Sequence, residues 1–358
     1  MRIIFALRRA FRERSRKTAA AALALILASG CIIAVAAAAQ KADISALSPQ
    51  EIEISGTPFA FDRSDPARRD FGRLEWLGGL IISAKSEFFG GYSDLIVSPD
   101  NDDLLTISDS GSWLSAKLTT KNGKLAGIGN ARVGALTQKD GKPLQRRGDR
   151  DAEALVALGH GGIEGRYLIG FESRHRIEEY AFEKGKFRGP LGSRVLPREL
   201  RRMDRGQGLE GMALLRGGEH KGALVAFSEH KLDSQNDHGG ALMKDDKSYP
   251  LFLKRTGEFD ITSLQSLSDG SLLVLERSFI RASLKLDIRL RLVKAADIEP
   301  GARLDGEVLL EAGNRYMIDN FEGMAVTETQ KGETIITLIS DDNFNFFQNT
   351  LLARFKLR

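Results

Sequence analysis

The sequence predicts an all-β domain built as a β-propeller, on three observations. Short strand-like runs dominate the chain after residue 39, and long amphipathic helical patterns are missing there. A degenerate element recurs at a spacing that suits a four-stranded blade. The composition, with 42% hydrophobic and 28% charged residues and 9 prolines in 358 residues, excludes a disordered or collagen-like chain. A two-sheet sandwich is the alternative fold.

The N-terminal segment has the pattern of an export signal. Residues 1–17 are rich in arginine, and residues 18–39 carry no charge. Ala37 and Ala39 supply the small residues of a cleavage site before Gln40. We predict an export signal or membrane anchor over residues 1–39, with cleavage after Ala39, and one β-propeller domain over residues 40–358.

Two other fates of this segment are consistent with the sequence. Residues 18–39 are long enough to remain as a membrane anchor, because about 20 apolar residues span a bilayer. Cys31 follows Ala28, Ser29 and Gly30, which loosely resembles a lipidation site. Each of these possibilities predicts a periplasmic, secreted or membrane-attached domain outside the cytoplasm.

Charge and cysteine content exclude several classes of function. The formal charge is +4, but residues 1–39 hold seven basic side chains and one acid, so the remainder has a charge of −2. A nucleic-acid partner is therefore not expected, and we predict a monomer that binds a small anionic or ester substrate. Cys31 is the only cysteine, so the domain itself has no disulfide, cysteine nucleophile or thiolate zinc site.

The predicted strands are short apolar runs separated by Gly, Asp and Asn. Examples are 103–108, 166–171, 223–227, 271–275 and 334–339. Asn122 and Gly123 lie between two such runs and predict a hairpin turn.

Self-comparison of the chain reveals an internal repeat. Five segments resemble one another: 92–96 (YSDLI), 151–155 (DAEAL), 208–212 (GLEGM), 261–264 (ITSL) and 320–324 (NFEGM). Their marker residues, Asp94, Ala154, Gly211, Ser263 and Gly323, are spaced by 60, 57, 52 and 60 residues. Such a period fits a four-stranded blade with loops.

The residues outside these four periods bear on the blade count. They make up about one and a half further periods, which favours six blades and leaves five as the alternative. The last blade is expected to close by pairing an N-terminal strand, near 51–55 or 74–83, with the C-terminal strand at 351–357.

Acidic residues recur where the second apolar run of each repeat ends. They are Asp109, Glu172, Glu229, Glu276 and Asp341. The innermost strands of a propeller surround one axis, so acids at a fixed place in each blade would converge, and a cation would offset their repulsion. We predict a Ca²⁺ site, because Ca²⁺ takes about 6 to 8 oxygen ligands. The predicted ligands are Glu153, Glu210, Glu322 and Asp341, with Asn320 and Asn343 as further oxygen donors. The alternative is that each acid caps loop backbone N–H groups.

Basic residues follow some of these acids and complete the predicted site. Arg174, Arg277 and Lys231 come shortly after a strand-end acid. We predict Arg174 and Arg277 as the side chains that bind an anionic substrate, with Glu229 as the base that activates water. The alternative is that these cations pair with the neighbouring acids. The chain lacks a G-x-S-x-G elbow and a G-x-x-x-x-G-K-[ST] loop, which excludes the common serine hydrolase and nucleotide sites.

The repeated motifs resemble those of a bacterial phytase-like domain family, labelled "esterase-like activity of phytase". The resemblance covers about residues 70–357 and rests on 151–155 (DAEAL), 208–213 (GLEGMA), 275–278 (LERS), 320–325 (NFEGMA) and 340–344 (SDDNF). Ala154 departs from the repeated Gly, and Thr262 departs from the repeated Glu, so the blades are not equivalent.

The resemblance implies an exported propeller with phosphoester or ester hydrolysis as its activity. The histidine-phytase motif R-H-G-x-R-x-P is absent and the domain has no cysteine, so only a metal-dependent mechanism remains among the phytase types. Glu210 and Glu322 also resemble the Glu-Gly metal ligand of propeller lactonases, which keeps a lactone or carboxyl ester substrate open.

Two hypotheses of function follow. The first is a Ca²⁺-dependent hydrolase of phosphate monoesters or simple esters. The second is a non-catalytic propeller that binds an envelope protein or a glycan, since a fold does not determine a function.

Overall fold

The computed structural model describes residues 42–159, 161–201, 203 and 208–358, without the side chains of His230 and Lys231. The predictions for residues 1–39, including Cys31, therefore lie outside the described residues, as does the side chain of Lys231. Lys41–Arg358 form one compact unit that contains every described strand, so we expect this range to fold by itself. Among the residues described, no helix is long and apolar enough to span a bilayer.

Five sheets make up this unit, and each is a blade of a propeller. Blade 1 contains β1 (Gln50–Ile52), β5 (Tyr92–Val97), β6 (Asp103–Ser108), β7 (Ser112–Lys121) and β8 (Lys124–Ala135). Blade 2 contains β9 (Ala152–Ala157), β10 (Gly165–Phe171), β11 (Arg176–Glu183) and β12 (Lys186–Arg194). Blade 3 contains β13 (Leu209–Leu214), β14 (Leu224–Leu232), β15 (His238–Lys244), β16 (Lys247–Leu253) and β20 (Arg303–Leu304).

The remaining two blades differ in how they are completed. Blade 4 contains β17 (Asp260–Ser266), β18 (Leu272–Ile280), β19 (Lys285–Val293) and β21 (Glu307–Ala312). Blade 5 contains β22 (Asn320–Glu328), β23 (Thr334–Asp341) and β24 (Thr350–Leu357), joined by β2 (Ile54–Phe59), β3 (Asp70–Phe71) and β4 (Leu74–Ala84). The described helices are short: α1 (Arg147–Arg150) and three 3₁₀ turns, Ile44–Ala46, Arg198–Leu200 and Ala295–Asp297.

The fold prediction is confirmed, and the blade count is five, the smaller of the two predicted numbers. The N-terminal residues do not build a blade of their own. Instead β4 pairs antiparallel with β24, with Ile82 opposite Thr350 and Leu74 opposite Leu357, as the predicted closure required. β1 adds to the outer edge of blade 1, where Gln50 lies opposite Val133. The residues left over after five blades therefore do not form a sixth blade. They pair with the edges of blades 5 and 1 and close the ring.

The inner strands form a ring because each contacts the inner strands of the two neighbouring blades. β5 contacts β22 and β9, and β13 contacts β9 and β17, while β17 contacts β22. Apolar side chains fill the spaces between adjacent sheets. One such core, between blades 4 and 5, includes Leu275, Leu290, Phe321, Met324 and Phe355. Packing between blades thus holds the inner strands around one axis.

Candidate functional site

A β-bulge recurs at the same place in all five inner strands. In blade 3, Leu209 lies opposite Ser228 and Gly211 opposite Phe227, so Glu210 has no partner in the ladder. The corresponding unpaired residues of the five blades are Ser93, Glu153, Glu210, Thr262 and Glu322. A bulge re-aims the extra side chain and increases the local twist. The sequence repeat is therefore the signature of a repeated bulge near the start of each inner strand.

The second strand of each blade supplies another recurring position next to the bulge. In each blade it is the residue that follows the partner of the residue just before the bulge, and these residues are Asp109, Glu172, Glu229, Arg277 and Asp341. Four of these are acids, and in blade 4 the residue is an arginine. The bulge residue of blade 4 is Thr262 where blades 2, 3 and 5 have glutamate. Blade 4 thus departs from the acidic pattern at both positions.

All of these residues except Ser93 line a cavity of about 190 Å³. Its walls hold Asp109, Asp151, Glu153, Glu172, Glu210, Glu229, Thr262, Arg277, Glu322, Asp341 and Asn343. We call this space the acidic cavity, and the end of the propeller at which it lies, where the inner strands begin, the cavity end. The four predicted metal ligands, Glu153, Glu210, Glu322 and Asp341, are brought together there although they lie far apart in the sequence.

The prediction for Glu276 is wrong. The ladder places Ile261 opposite Glu276, so Arg277 occupies the position that an acid holds in the other blades. Successive side chains of a strand point to opposite faces, and a shift of one residue therefore turns Glu276 away from the cavity. Its carboxylate is completely buried and accepts from Arg291 Nε at 2.7 Å and from Arg291 Nη2 at 2.5 Å. Glu276 is part of a structural ion pair.

Two groups of three carboxylates lie close together on the side of blades 2 and 3. One is Asp151, Glu153 and Glu172, and the other is Glu172, Glu210 and Glu229. Within each group, one oxygen of every side chain lies within 4.8 Å of the others. Glu172 belongs to both groups. Asp151 and Glu172 were not predicted as ligands, although Glu172 could have been found because it is one of the recurring strand-end acids.

Burial and mutual repulsion disfavour the ionised form of several acids of the cavity, including Glu153, Glu210 and Glu322. Burial raises the pKa of Glu153 well above its usual value, and the charges of Glu210 and Asp109 add to this effect. Burial, followed by Glu229 and Glu172, raises the pKa of Glu210 in the same way. Burial raises the pKa of Glu322 to about 7 even though Arg277 opposes the shift. A positive charge in the acidic cavity would therefore stabilise the ionised form of these acids.

Arg277 supplies one positive charge inside this cavity. Its Nη1 donates to Glu322 Oε1 at 3.0 Å and to the side-chain oxygen of Asn320, and its Nη2 lies 3.3 Å from Glu229 Oε1. Burial alone would lower the pKa of Arg277, but Glu322 and Glu229 outweigh it and the pKa is raised. The side chain is thus held as a cation by Glu229 of blade 3 and Glu322 of blade 5, and not by Glu276, its neighbour in the sequence, which pairs with Arg291.

Arg174 lies apart from the acidic cavity. Its Nη1 forms an ion pair with Asp149 Oδ1 at 2.6 Å, and its side chain is 60% exposed. It belongs to an open groove beside blade 2, together with His175 and Arg176. The structure therefore brings Glu229 and Arg277 together but not Arg174, whose role in binding a substrate stays a prediction.

Asp94 fills the centre of the ring next to the cavity. Its carboxylate accepts from Leu155 N at 2.8 Å, from Met324 N at 3.3 Å and from Ser263 Oγ at 3.3 Å, which belong to three other blades. Burial is the main reason that the pKa of Asp94 is raised to about 7. This side chain ties the inner strands across the axis.

Oxygen atoms dominate the donor set of the cavity. Among the described residues that surround it there is no histidine, and the donors are carboxylates, one amide and one hydroxyl. This set suits a hard cation such as Ca²⁺ better than zinc or copper. Eight carboxyl groups face a single guanidinium, so ionisation of all the acids would leave a charge of seven negative.

Comparison with solved structures gives matches of low similarity. One is U3-55K, at 8% identity and a TM-score of 0.35, covering 74% of this chain and 95% of that one. An endo-arabinase from Bacteroides thetaiotaomicron has 13% identity and a TM-score of 0.42, covering 74% and 93%. A gluconolactonase from Xanthomonas campestris has 10% identity and a TM-score of 0.38, covering 88% and 91%. At these values the likenesses do not bear on activity.

A search of curated proteins gave no match. Comparison with protein-family models, in contrast, gives a direct assignment. The family model described as "Phytase-like: Esterase-like activity of phytase" matches residues 87–344, which is more than half of the chain. This match confirms the family that the repeated motifs predicted. The chain therefore belongs to the phytase-like family described by its esterase-like activity.

Proposed function

We propose that this protein is an exported hydrolase of phosphate monoesters or simple esters that uses a divalent cation, with Ca²⁺ as the expected ion. The observation that carries the proposal is the convergence of eight carboxyl groups and Arg277 on one cavity of about 190 Å³. Acids with raised pKa values, gathered in a cleft, are typical of functional sites. Membership of the phytase-like family supports ester or phosphoester chemistry.

The residues present fit such a cation. Glu153, Glu210, Glu322 and Asp341 would hold it, and Asp151 and Glu172 add ligands on the side of blades 2 and 3. A bound Ca²⁺ would offset the charge of a phosphoryl or acyl oxygen and lower the pKa of a bound water. It would also offset the repulsion that, added to burial, raises the pKa values of Glu153, Glu210 and Asp341.

Because blade 4 departs from the acidic pattern, the cavity has one side that differs chemically from the others. Acids from blades 1, 2, 3 and 5 surround the space, while Arg277 and Thr262 face it from blade 4. A guanidinium binds the oxygens of phosphate or carboxylate in a fixed geometry. We infer that an anionic substrate binds with its charged group towards Arg277, exchanging part of the hydrogen bonding that Glu229 and Glu322 now provide.

Glu229 is the proposed base. It lies in the cavity, where its Oε1 is 3.3 Å from Arg277 Nη2, and a carboxylate at this place can accept a proton from water. Release from Arg277 when the substrate binds would leave this carboxylate next to the substrate. Glu229 would then accept the proton of the attacking water.

Hydrolysis assays test the proposal. The domain of residues 40–358 is expected to hydrolyse p-nitrophenyl phosphate, phytate or p-nitrophenyl acetate with Ca²⁺ and to lose this activity in EDTA. Glu210→Gln and Glu322→Gln should lower activity and Ca²⁺ content measured by mass spectrometry together. Glu229→Gln should lower kcat by about 10²-fold or more while Ca²⁺ content is retained.

Arg303 offers a matched control for Arg277. It also pairs with two carboxylates, Asp233 at 2.7 Å and Asp237, but it lies outside the acidic cavity. Arg277→Gln should raise KM for a phosphate ester, and Arg303→Gln should not. Absence of turnover on all three substrates with Ca²⁺ present would contradict the proposal, as would equal activity in Ca²⁺ and in EDTA.

A further inference from the structure

A second cavity lies on the propeller axis, at the end opposite the cavity end. It has a volume of about 150 Å³ and is lined by the later residues of all five inner strands. Its lining includes one equivalent residue from each blade, two positions after the residue that follows the bulge: Ile96, Val156, Ala213, Gln265 and Ala325. Residues two apart on a strand face the same side, so these side chains point towards the axis as Asp94 does. We call this space the apolar pocket.

Blade 4 departs from the other blades in the apolar pocket as well. The equivalent position holds a hydrocarbon side chain in four blades and the amide of Gln265 in blade 4. This amide makes no hydrogen bond with any residue that the structure describes. A glutamine amide offers two N–H donors and an oxygen acceptor. The pocket therefore has an apolar wall with one polar group that is available to a ligand.

Arg216 of blade 3 adds a positive charge to the pocket. Its backbone N–H donates to Ser266 Oγ at 3.0 Å, which fixes the origin of the arginine side chain next to blade 4. The guanidinium forms neither an ion pair nor a hydrogen bond within the described part of the chain. Arg277, in contrast, is paired with two acids in the acidic cavity. Arg216 is half-buried and its charge is available to a ligand.

The other polar side chains of the lining already have partners. Glu328 is the second charged residue among the described residues that line the pocket, and its Oε1 accepts from the backbone N–H of Ser268 at 3.2 Å. The hydroxyl of Thr327 donates to Asn101 Oδ1 at 2.8 Å. The hydroxyl of Ser266 donates to the backbone oxygen of Leu267 at 3.0 Å. A ligand therefore finds its polar partners on blades 3 and 4.

The volume and the donor set together define the ligand. An apolar protein cavity of about 150 Å³ can hold one benzene molecule. A guanidinium and a side-chain amide both donate hydrogen bonds to carboxylate oxygens, and the guanidinium also supplies the opposite charge. A molecule that has an apolar body of the size of benzene and one carboxylate matches these features.

We propose that the apolar pocket binds a small aromatic carboxylate. The ring of the ligand contacts Ile96, Val156 and Ala325, and its carboxylate accepts hydrogen bonds from the Arg216 guanidinium and the Gln265 amide. The apolar pocket and the acidic cavity lie at opposite ends of the inner strands and share no lining residue. Binding therefore requires neither a divalent cation nor hydrolysis, and it goes beyond the proposed function.

Titration calorimetry tests the ligand class. The domain of residues 40–358 in EDTA is titrated with benzoate, phenylacetate and 3-phenylpropionate, and we expect at least one of these acids to bind with one site per chain. Benzyl alcohol and benzylamine should each bind about tenfold or more weakly than that acid, because neither carries a carboxylate. Absence of binding by all three acids at millimolar concentration overturns the proposal. Tighter binding of benzylamine also overturns it, since Glu328 would then direct the ligand.

Substitutions test the role of Arg216. Arg216→Gln should weaken binding of the acid by about tenfold. Lys221→Gln is the matched control, because it removes an exposed cation from the same connection between β13 and β14 but does not line the pocket. It should bind the acid like the parent, and so should Arg277→Gln. Equal effects of Arg216→Gln and Lys221→Gln, or loss of binding in Arg277→Gln, would contradict the proposed site.

Methyl NMR locates the ligand independently of any change in stability. The methyl signals of Ile96, assigned through Ile96→Val, should shift in the parent domain because a bound aromatic ring lies against them. The signals of Ile288, which is buried in the core between blades 4 and 5, should stay unchanged. A bound acid that leaves the Ile96 signals unmoved occupies another site, and the proposal is then wrong. These readouts measure binding in EDTA, so failure of this proposal and failure of the proposed hydrolysis are distinguished.

Discussion

At the residue scale, the charge distribution of the site depends on two positions at which blade 4 differs from the other blades. Four blades place an acid at the position that Arg277 occupies in blade 4, and Thr262 replaces the glutamate beside it. A ring with acids from all five blades would bind cations only. One arginine among acids creates a cavity that can face both a cation and an anion, because opposite charges stabilise each other at short distance.

Asp94 is the residue whose removal should affect stability most directly. Its buried carboxylate accepts backbone N–H groups from Leu95, Leu155 and Met324. Asp94→Ala leaves these donors without their partner, and we expect a loss of about 2 to 4 kcal/mol in the free energy of unfolding. Urea denaturation measures this. Asp103→Ala is the control, since it breaks only a surface pair with Lys117 and should cost under about 1 kcal/mol.

At the element scale, the bulged inner strand is the unit that repeats. The residue after each bulge is small in four blades, Ala154, Gly211, Ser263 and Gly323, and is Asp94 in the fifth. Small residues are needed because the strands approach closely at the axis. A Cβ on Gly323 would lie 2.8 Å from Cα of Asp94, which is backbone and yields little.

Glycine substitutions test this close approach. Gly323→Ala should destabilise the protein by about 1 to 3 kcal/mol, since the added carbon overlaps Asp94 and Ile339. Gly129→Ala in β8 is the control, because no atom lies within 4 Å of the added carbon. We expect it to leave the thermal midpoint unchanged or slightly raised. Equal effects of the two substitutions would contradict the proposed crowding at the axis.

At the scale of the whole molecule, the acidic cavity opposes folding when no cation is bound. The ring closes by pairing β4 with β24, and closure forces acids of different blades together. The folded pKa values of Glu153, Glu210, Glu322 and Asp341 lie above those of the unfolded chain, so the folded state binds more protons. Stability is then greatest at low pH and decreases as pH rises through the folded pKa values, with Glu322 at about 7.

This predicts a pH dependence that Ca²⁺ should abolish. In EDTA, the free energy of unfolding should fall as pH rises from about 5 to about 8, because Glu153, Glu210, Glu322 and Asp341 must ionise together. Saturating Ca²⁺ should remove most of this fall. Buried His238, whose pKa is lowered to about 4, acts in the opposite sense but is one group against four. Calorimetry at several pH values measures the effect, and Glu210→Gln should flatten it. A stability in EDTA that rises with pH would contradict the mechanism.

The sequence by itself determined the all-β class, the repeat, the closure of the ring by an N-terminal strand against the C-terminal strand, and the family. These features rest on local alternation and on motifs, which a sequence carries directly. The tertiary structure decided the blade count, the exchange of Glu276 for Arg277 at the cavity and the separation of Arg174 from it. A shift of one residue in a ladder turns a side chain to the other face of the sheet, and only the pairing of strands across the fold fixes that register.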